Sequence, residues 1–191
     1  MYKRIILKLS GETLAPETLE GAKSPTFDAL RVEEVARVIA ELAGMGVQVG
    51  VVMGGGNIWR GRFSEEMNAV NADQMGMLAT VINALAVEDA LCRLGQKATV
   101  FTAQEMNRFA RLYTAKAAIE CMENGEIVLL AGGTGNPFFT TDTGAALRAA
   151  DLALARKLVI DRGGDLGVGV GKGFHKHVWL LYNHVVLLAR I

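Results

Sequence analysis

The stretch VQVGVVMGGGN, residues 47–57, decides the fold class. Its first seven residues are almost continuously apolar and rich in valine, the pattern of a strand buried on both faces of a sheet. Three successive glycines then end it. Outward from this segment the same design recurs: KRIILKLS (3–10) ends at Ser10-Gly11, KATVFTA (97–103) reads as a third strand, and EIVLLAG (126–132) as a fourth. Between them lie helical patterns. Leu30, Val32, Val35, Val38, Ile39 and Leu42 recur at helical spacing, and Gly44 and Gly46 stop that run. Further patterns cover about Asn71 to Leu94, Tyr113 to Glu123, and Asp142 to Lys157. Strands alternating with helices predict an α/β fold with a mainly parallel sheet, in which ligands collect at the carboxyl ends of the strands.

Three of the four predicted strands run into polar, glycine-bearing loops, KLSG, GGGN and GGTGN. Glycine lets a backbone approach a ligand closely and turn its amides towards an anion. A helix starting just after such a loop adds its N-terminal amides and dipole. Gly54, Gly55 and Gly56 stand where a phosphate would be held, with Arg60 as a candidate bidentate cation; the alternative is a flexible strand-to-loop turn. Lys8 and Ser10 point to one face of the first strand, so Lys8 is either a phosphoryl-neutralising cation or a snorkelling surface lysine. The loop GGTGNPFFTTD (132–142) offers amides at Gly133 and Gly135, hydroxyls at Thr134, Thr140 and Thr141, and the amide of Asn136. Phe138 or Phe139 could wall a planar base. Asp142 could organise a cation, or simply cap a helix. Such a loop suits a small ligand carrying both a ring and a phosphate.

The chain has 191 residues, enough for one domain with a proper core. Hydrophobic residues make up 51% and mean hydropathy is +0.26, so the chain reads as globular. Acids and bases balance at 20 each, which gives no reason to expect nucleic acid or an anionic membrane as a general partner, and any anion site must be local. The apolar run near the N-terminus is too short for a signal peptide or a membrane span, and a cytoplasmic protein is expected. Cys92 and Cys121 fall in helical patterns and are expected to be buried free thiols rather than a disulfide or a metal pair. With three histidines and no Cys/His cluster, no structural metal site is expected. GVGVGKG (167–173) fails the spacing of a P-loop, and no GxGxxG joins an early strand to its helix.

In order and spacing, ILKLSGE, GVQVGVVMGGGNIWRG, ADQMGMLATVINALA and GTGNPFFTTD resemble the bacterial uridylate kinases of the amino-acid kinase superfamily, over roughly residues 2 to 150. The resemblance implies a three-layer αβα sandwich, phosphoryl transfer from Mg-ATP to UMP giving UDP and ADP, and a homohexamer. It implies that Lys8, Leu9, Ser10 and Gly11, together with Gly56 and Arg60, face ATP, with magnesium arriving on the nucleotide. Gly55, Asp73, Thr134, Gly135, Asn136, Pro137, Phe138, Phe139, Thr140 and Thr141 would contact UMP. Lys8 and Asp142 would be catalytic. On the residues alone, Asp73 reads as a first-turn helix acid, and Met75, Met77, Leu78 and Val81 as core or subunit contacts.

The resemblance lapses in two places. Residues 13–27 lack the family's glycine-containing segment tied to GTP regulation, so such control is not carried over. Past about residue 150 the family's elements for the adenine and ribose of ATP have no counterpart, and the chain ends earlier than the family pattern. The expectation is one kinase-like domain whose residues 1–150 hold the UMP and phosphate part, with 151–191 a divergent segment, truncated or altered, and an uncertain donor site. The alternatives are a non-catalytic UMP-binding or regulatory homologue lacking a complete ATP site, and a chain whose altered end has cost it the fold.

Overall fold

The computed structural model describes residues 3–16, 26–59, 67–152, 157–160 and 185–190. Strand β1 (Arg4–Leu9) leads through a short 3₁₀ turn (Gly11–Leu14) to helix α1 (Ala29–Gly44), which Asp28 caps by accepting the N–H groups of Leu30 and Arg31. Strand β2 (Gln48–Met53) follows, then the 25-residue helix α2 (Ala69–Arg93), capped by Asn68. Next come β3 (Ala98–Thr102), β4 (Arg111–Leu112), helix α3 (Ala115–Glu123), β5 (Ile127–Ala131) and helix α4 (Thr141–Asp151). The backbone adds β6 (Lys157–Ile160) and β7 (Val185–Arg190).

The sheet order is β4-β3-β5-β2-β1-β7-β6. The five strands from β4 to β1 pair in parallel, whereas β7 runs antiparallel to both β1 and β6. Two apolar layers flank the sheet. Ile5, Leu7, Leu9, Val49, Val51 and Leu129 pack against α1 and α2, while Ile6, Val52, Phe101, Val128 and Leu130 pack against α3 and α4. Because strand side chains alternate, both faces are apolar and each takes its own pair of helices. The result is the expected α/β, three-layer αβα arrangement.

Several expectations need correction. The helical pattern from Asp142 stops at Asp151, and Lys157 belongs to a strand. β4, two residues long, carries no periodicity by which it could be read. Cys121 is buried, but Cys92 is exposed on the last turn of α2, so only one of the two free thiols is a core residue. Along α2, Val81 is buried, whereas Met75 and Leu78 are exposed to solvent in this single chain. Among the described residues α2 is long and apolar enough to cross a membrane, yet Ala84, Val87, Ala90 and Leu91 are buried in the core beside the sheet. Composition of this kind is also what a core helix needs.

Candidate active site

β5, β2 and β1 are immediate neighbours in the sheet. Their carboxyl ends therefore bring GGTGN, GGGN and KLSG side by side, although the segments lie far apart in the sequence. Strand alternation puts Lys8 on the same face as Ile6, the face that α4 covers. There the Lys8 Nζ lies 2.9 Å from Asp142 Oδ1, and both side chains are largely shielded. That oxygen is buried, and the Lys8 ammonium is the partner that compensates its charge. Asp142 is not the cap of α4. Thr140 is, its hydroxyl accepting the Thr143 N–H, and this leaves the Asp142 carboxylate in the first turn, where the helix dipole favours a negative charge.

On the β1 side, the Ser10 hydroxyl accepts the Glu12 N–H and caps the 3₁₀ turn. Gly11 packs so tightly against Asn57, Asn83 and Gly54 that an added Cβ would stand 2.9 Å from the Gly54 carbonyl. Leu9 is buried core. Gly55 has the same need for a bare backbone, since a Cβ there would lie 2.8 Å from the Gly76 carbonyl of α2. Among the described residues no helix follows the GGG loop directly, unlike the loop-to-helix arrangement expected for an anion cradle. The chain instead turns, with the Ile58 and Trp59 N–H groups bonded to the Gly55 carbonyl. The helix-dipole argument therefore applies to the GGTGN loop, which does lead into α4. Arg60 lies outside the described residues.

The loop from Gly132 to Thr140 is held from several sides. Gly132, Gly133 and Gly135 all have positive φ, and so does Phe138 at 70°, unusual for a bulky residue. The Phe138 N–H donates to Asp73 Oδ2 at 2.5 Å, which secures that conformation. Asp73 is consequently no first-turn acid: α2 begins at Ala69, and the carboxylate reaches across to the loop. Gln104 Nε2 donates to the Gly135 carbonyl at 3.0 Å, and the Thr134 hydroxyl accepts the Asn136 N–H within the loop. Arg148 leans from α4 towards the Gly133 carbonyl at 3.4 Å. Its guanidinium lies 3.9 Å over the ring of Tyr113, whose hydroxyl meets Asp151. Burial, helped by the Asp151 charge, pushes the Tyr113 phenol up to about 12.

Between α2 and this loop opens a cavity of about 180 Å³. Gly55, Gly56, Asp73, Asn136, Phe139 and Thr141 are among its lining residues. Phe139 contributes to the wall, whereas Phe138 points away and is 72% exposed. Lys8, Asp142, the glycine loops and most of the residues singled out in GGTGNPFFTTD thus gather at one end of the sheet. Two residues were missed. Thr80 and Asn83 are buried on α2 and bond to these loops: the Thr80 hydroxyl accepts the Gly132 N–H at 2.8 Å, and Asn83 Nδ2 donates to the Gly54 carbonyl at 2.6 Å. The only trace in the sequence is a polar residue at positions 80 and 83 of an otherwise apolar helical run.

The model of the amino acid kinase family matches residues 3–160. The uridylate kinase of Bacteroides thetaiotaomicron is 53% identical over 153 residues, 79% of this chain and 63% of that protein. The uridylate kinase of Parabacteroides distasonis is 51% identical with the same coverage. The chain therefore spans a little under two thirds of the length of these relatives. Among solved structures, the crystal structure of UMP kinase from Bacillus anthracis superposes with a TM-score of 0.73 at 37% identity, over 80% of this chain and 62% of the other. UMP kinase from Ureaplasma parvum gives 0.72 at 34% identity, over 80% and 63%.

Proposed function

Because the chain belongs to the amino acid kinase family, we propose that it transfers the γ-phosphoryl group of Mg-ATP to UMP, giving ADP and UDP. The observation that carries this reading is the Lys8–Asp142 pair, 2.9 Å apart, at the meeting point of three glycine-rich strand ends. A transferring phosphoryl group spreads negative charge over its oxygens, and a cation held in place beforehand stabilises that charge without reorganisation. The γ-phosphorus leaves its bridging oxygen on ADP and bonds to a phosphate oxygen of UMP, with no covalent intermediate on the protein. Lys8 meets the charge in flight, and Asp142 orients Lys8. The backbone around Gly11, Gly56 and Gly133, which carries no side chain, lets phosphate oxygens approach and lie in line.

On this reading Leu9, Ser10, Gly11, Gly56 and Arg60 serve ATP, while Gly55, Asp73 and the run from Thr134 to Thr141 serve UMP. Phe139 walls the cavity on the acceptor side. Magnesium arrives on the nucleotide, as part of the Mg-ATP substrate. The same reading makes the protein a cytoplasmic homohexamer.

Separate calorimetric titrations with UMP and with Mg-ATP, followed by an assay for UDP, test the proposal. Binding of both nucleotides with turnover is the expected result. UMP binding without Mg-ATP binding would transfer the argument to a non-catalytic UMP-binding homologue, and binding of neither would overturn the reading.

A further inference from the structure

α2 is a core helix with only two buried polar side chains, Thr80 at 2% exposure and Asn83 at 0%, one turn apart on one face. A buried polar group is costly unless it is hydrogen-bonded, and valine or leucine would serve the core better. Both residues bond to the loops. The Thr80 hydroxyl donates to the Met77 carbonyl at 2.7 Å and accepts the Gly132 N–H. Asn83 Nδ2 donates to the Gly54 carbonyl and to Asn57 Oδ1, while Asn83 Oδ1 accepts from Asn57 Nδ2 at 3.1 Å. Gly11 lies against the same amide, close enough that a Cβ would stand 2.9 Å from Asn83 Nδ2. One helical turn thus touches all three loops that leave β1, β2 and β5.

We propose that Thr80 and Asn83 are positioning residues that fix the acceptor loop and the phosphate loops to a single rigid element, and so set the gap that the phosphoryl group crosses. Strand pairing alone does not set this gap, because the loops begin where the ladders end. Thr80 positions the loop from Gly132 onwards, and Asn83 positions Gly11 and the Gly54–Asn57 turn. The catalytic consequence rests on the phosphoryl-transfer reading above; the mechanical one does not.

The experiment combines amide hydrogen exchange of the nucleotide-free protein with steady-state kinetics for Thr80→Val, Thr80→Ser and Asn83→Leu. Thr80→Val keeps the shape and removes the hydroxyl. It is expected to speed exchange at Gly132 and through residues 133–136 about tenfold, the equivalent of one lost hydrogen bond, while Ile127 to Ala131 keep their protection. Its KM for UMP should rise by a similar factor, and Thr80→Ser should restore both. Asn83→Leu is expected to loosen Ile58 and Trp59 instead and to raise the KM for Mg-ATP more than that for UMP. Exchange that is unchanged in the loops, or that rises equally through β5 and α2, would overturn the proposal, as would failure of serine to rescue. Should Thr80→Val not fold, Thr80→Ala against Thr80→Ser yields the same comparison. If the parent chain shows no turnover, the kinase reading fails, and the exchange pattern still decides whether the two side chains hold their loops.

Discussion

Lys8 shows how one side chain acquires a role from its surroundings. In the sequence it is a lysine near the end of a strand, as fit for solvent as for a phosphate. In the fold it faces α4 and pairs with Asp142 in a shielded position. If its charge is used mainly on the phosphoryl group in flight, Lys8→Ala should lower kcat by about a hundredfold or more, in the range of other lost transition-state contacts, while calorimetry finds UMP affinity nearly intact. Equal loss of UMP affinity would make Lys8 a binding or structural residue. Asp73 gains a different meaning by the same route: its carboxylate secures the positive φ of Phe138, a conformation that would otherwise cost about 1–3 kcal/mol.

At the scale of the element, α4 joins the Lys8–Asp142 pair to the loop. Its first turn carries Asp142, and its third presents Arg148 and Asp151 to Tyr113. The Tyr113 ring also packs edge-on against Phe101 of β3, 6.4 Å away, so α4 is tied to the sheet through an aromatic contact. Because burial and Asp151 raise the phenol to about 12, from an ordinary value near 10, the folded state favours the neutral form. This contribution is fully present below pH 10 and is lost as pH rises from 10 through 12, since the unfolded chain releases its proton first. Urea denaturation at pH 9 and pH 11 is the check. The parent should lose stability over that interval more steeply than Tyr113→Phe, which has no proton to lose there. Parallel slopes would mean that the phenol is not held neutral by the fold.

At the scale of the whole molecule, the order β5-β2-β1 is what makes a site. Each of these strands ends in a loop that could be an ordinary turn by itself. Side by side, the β2 and β5 loops and α2 line a cavity, and the neighbouring β1 carries the lysine paired with Asp142. A ligand that binds only this assembled state must stabilise it. UMP at a hundred times its Kd should add about 2.7 kcal/mol, which for a chain of this size raises Tm by roughly 5–10 °C. Thermal denaturation with and without UMP measures it, and an unmoved Tm would mean that the assembled loops do not bind UMP.

The sequence by itself determined the four long strands, the helices between them and the glycine-bearing strand ends, because apolar periodicity and glycine stops are local signals written within a dozen residues. It also marked the GGTGNPFFTTD loop as unusual, through residue types that a plain turn does not need. Only the tertiary structure decided which strand ends meet, since β2 pairs with β5 and β1 through contacts between distant segments. The tertiary structure also decided that Asp73 faces Phe138 rather than its own helix end, that Cys92 is exposed while Cys121 is buried, and that two polar residues of a core helix hold the loops. The short β4 and the antiparallel β6 and β7 likewise depend on their partners. A side chain's partner across space is set by packing, and no periodicity along the chain records it.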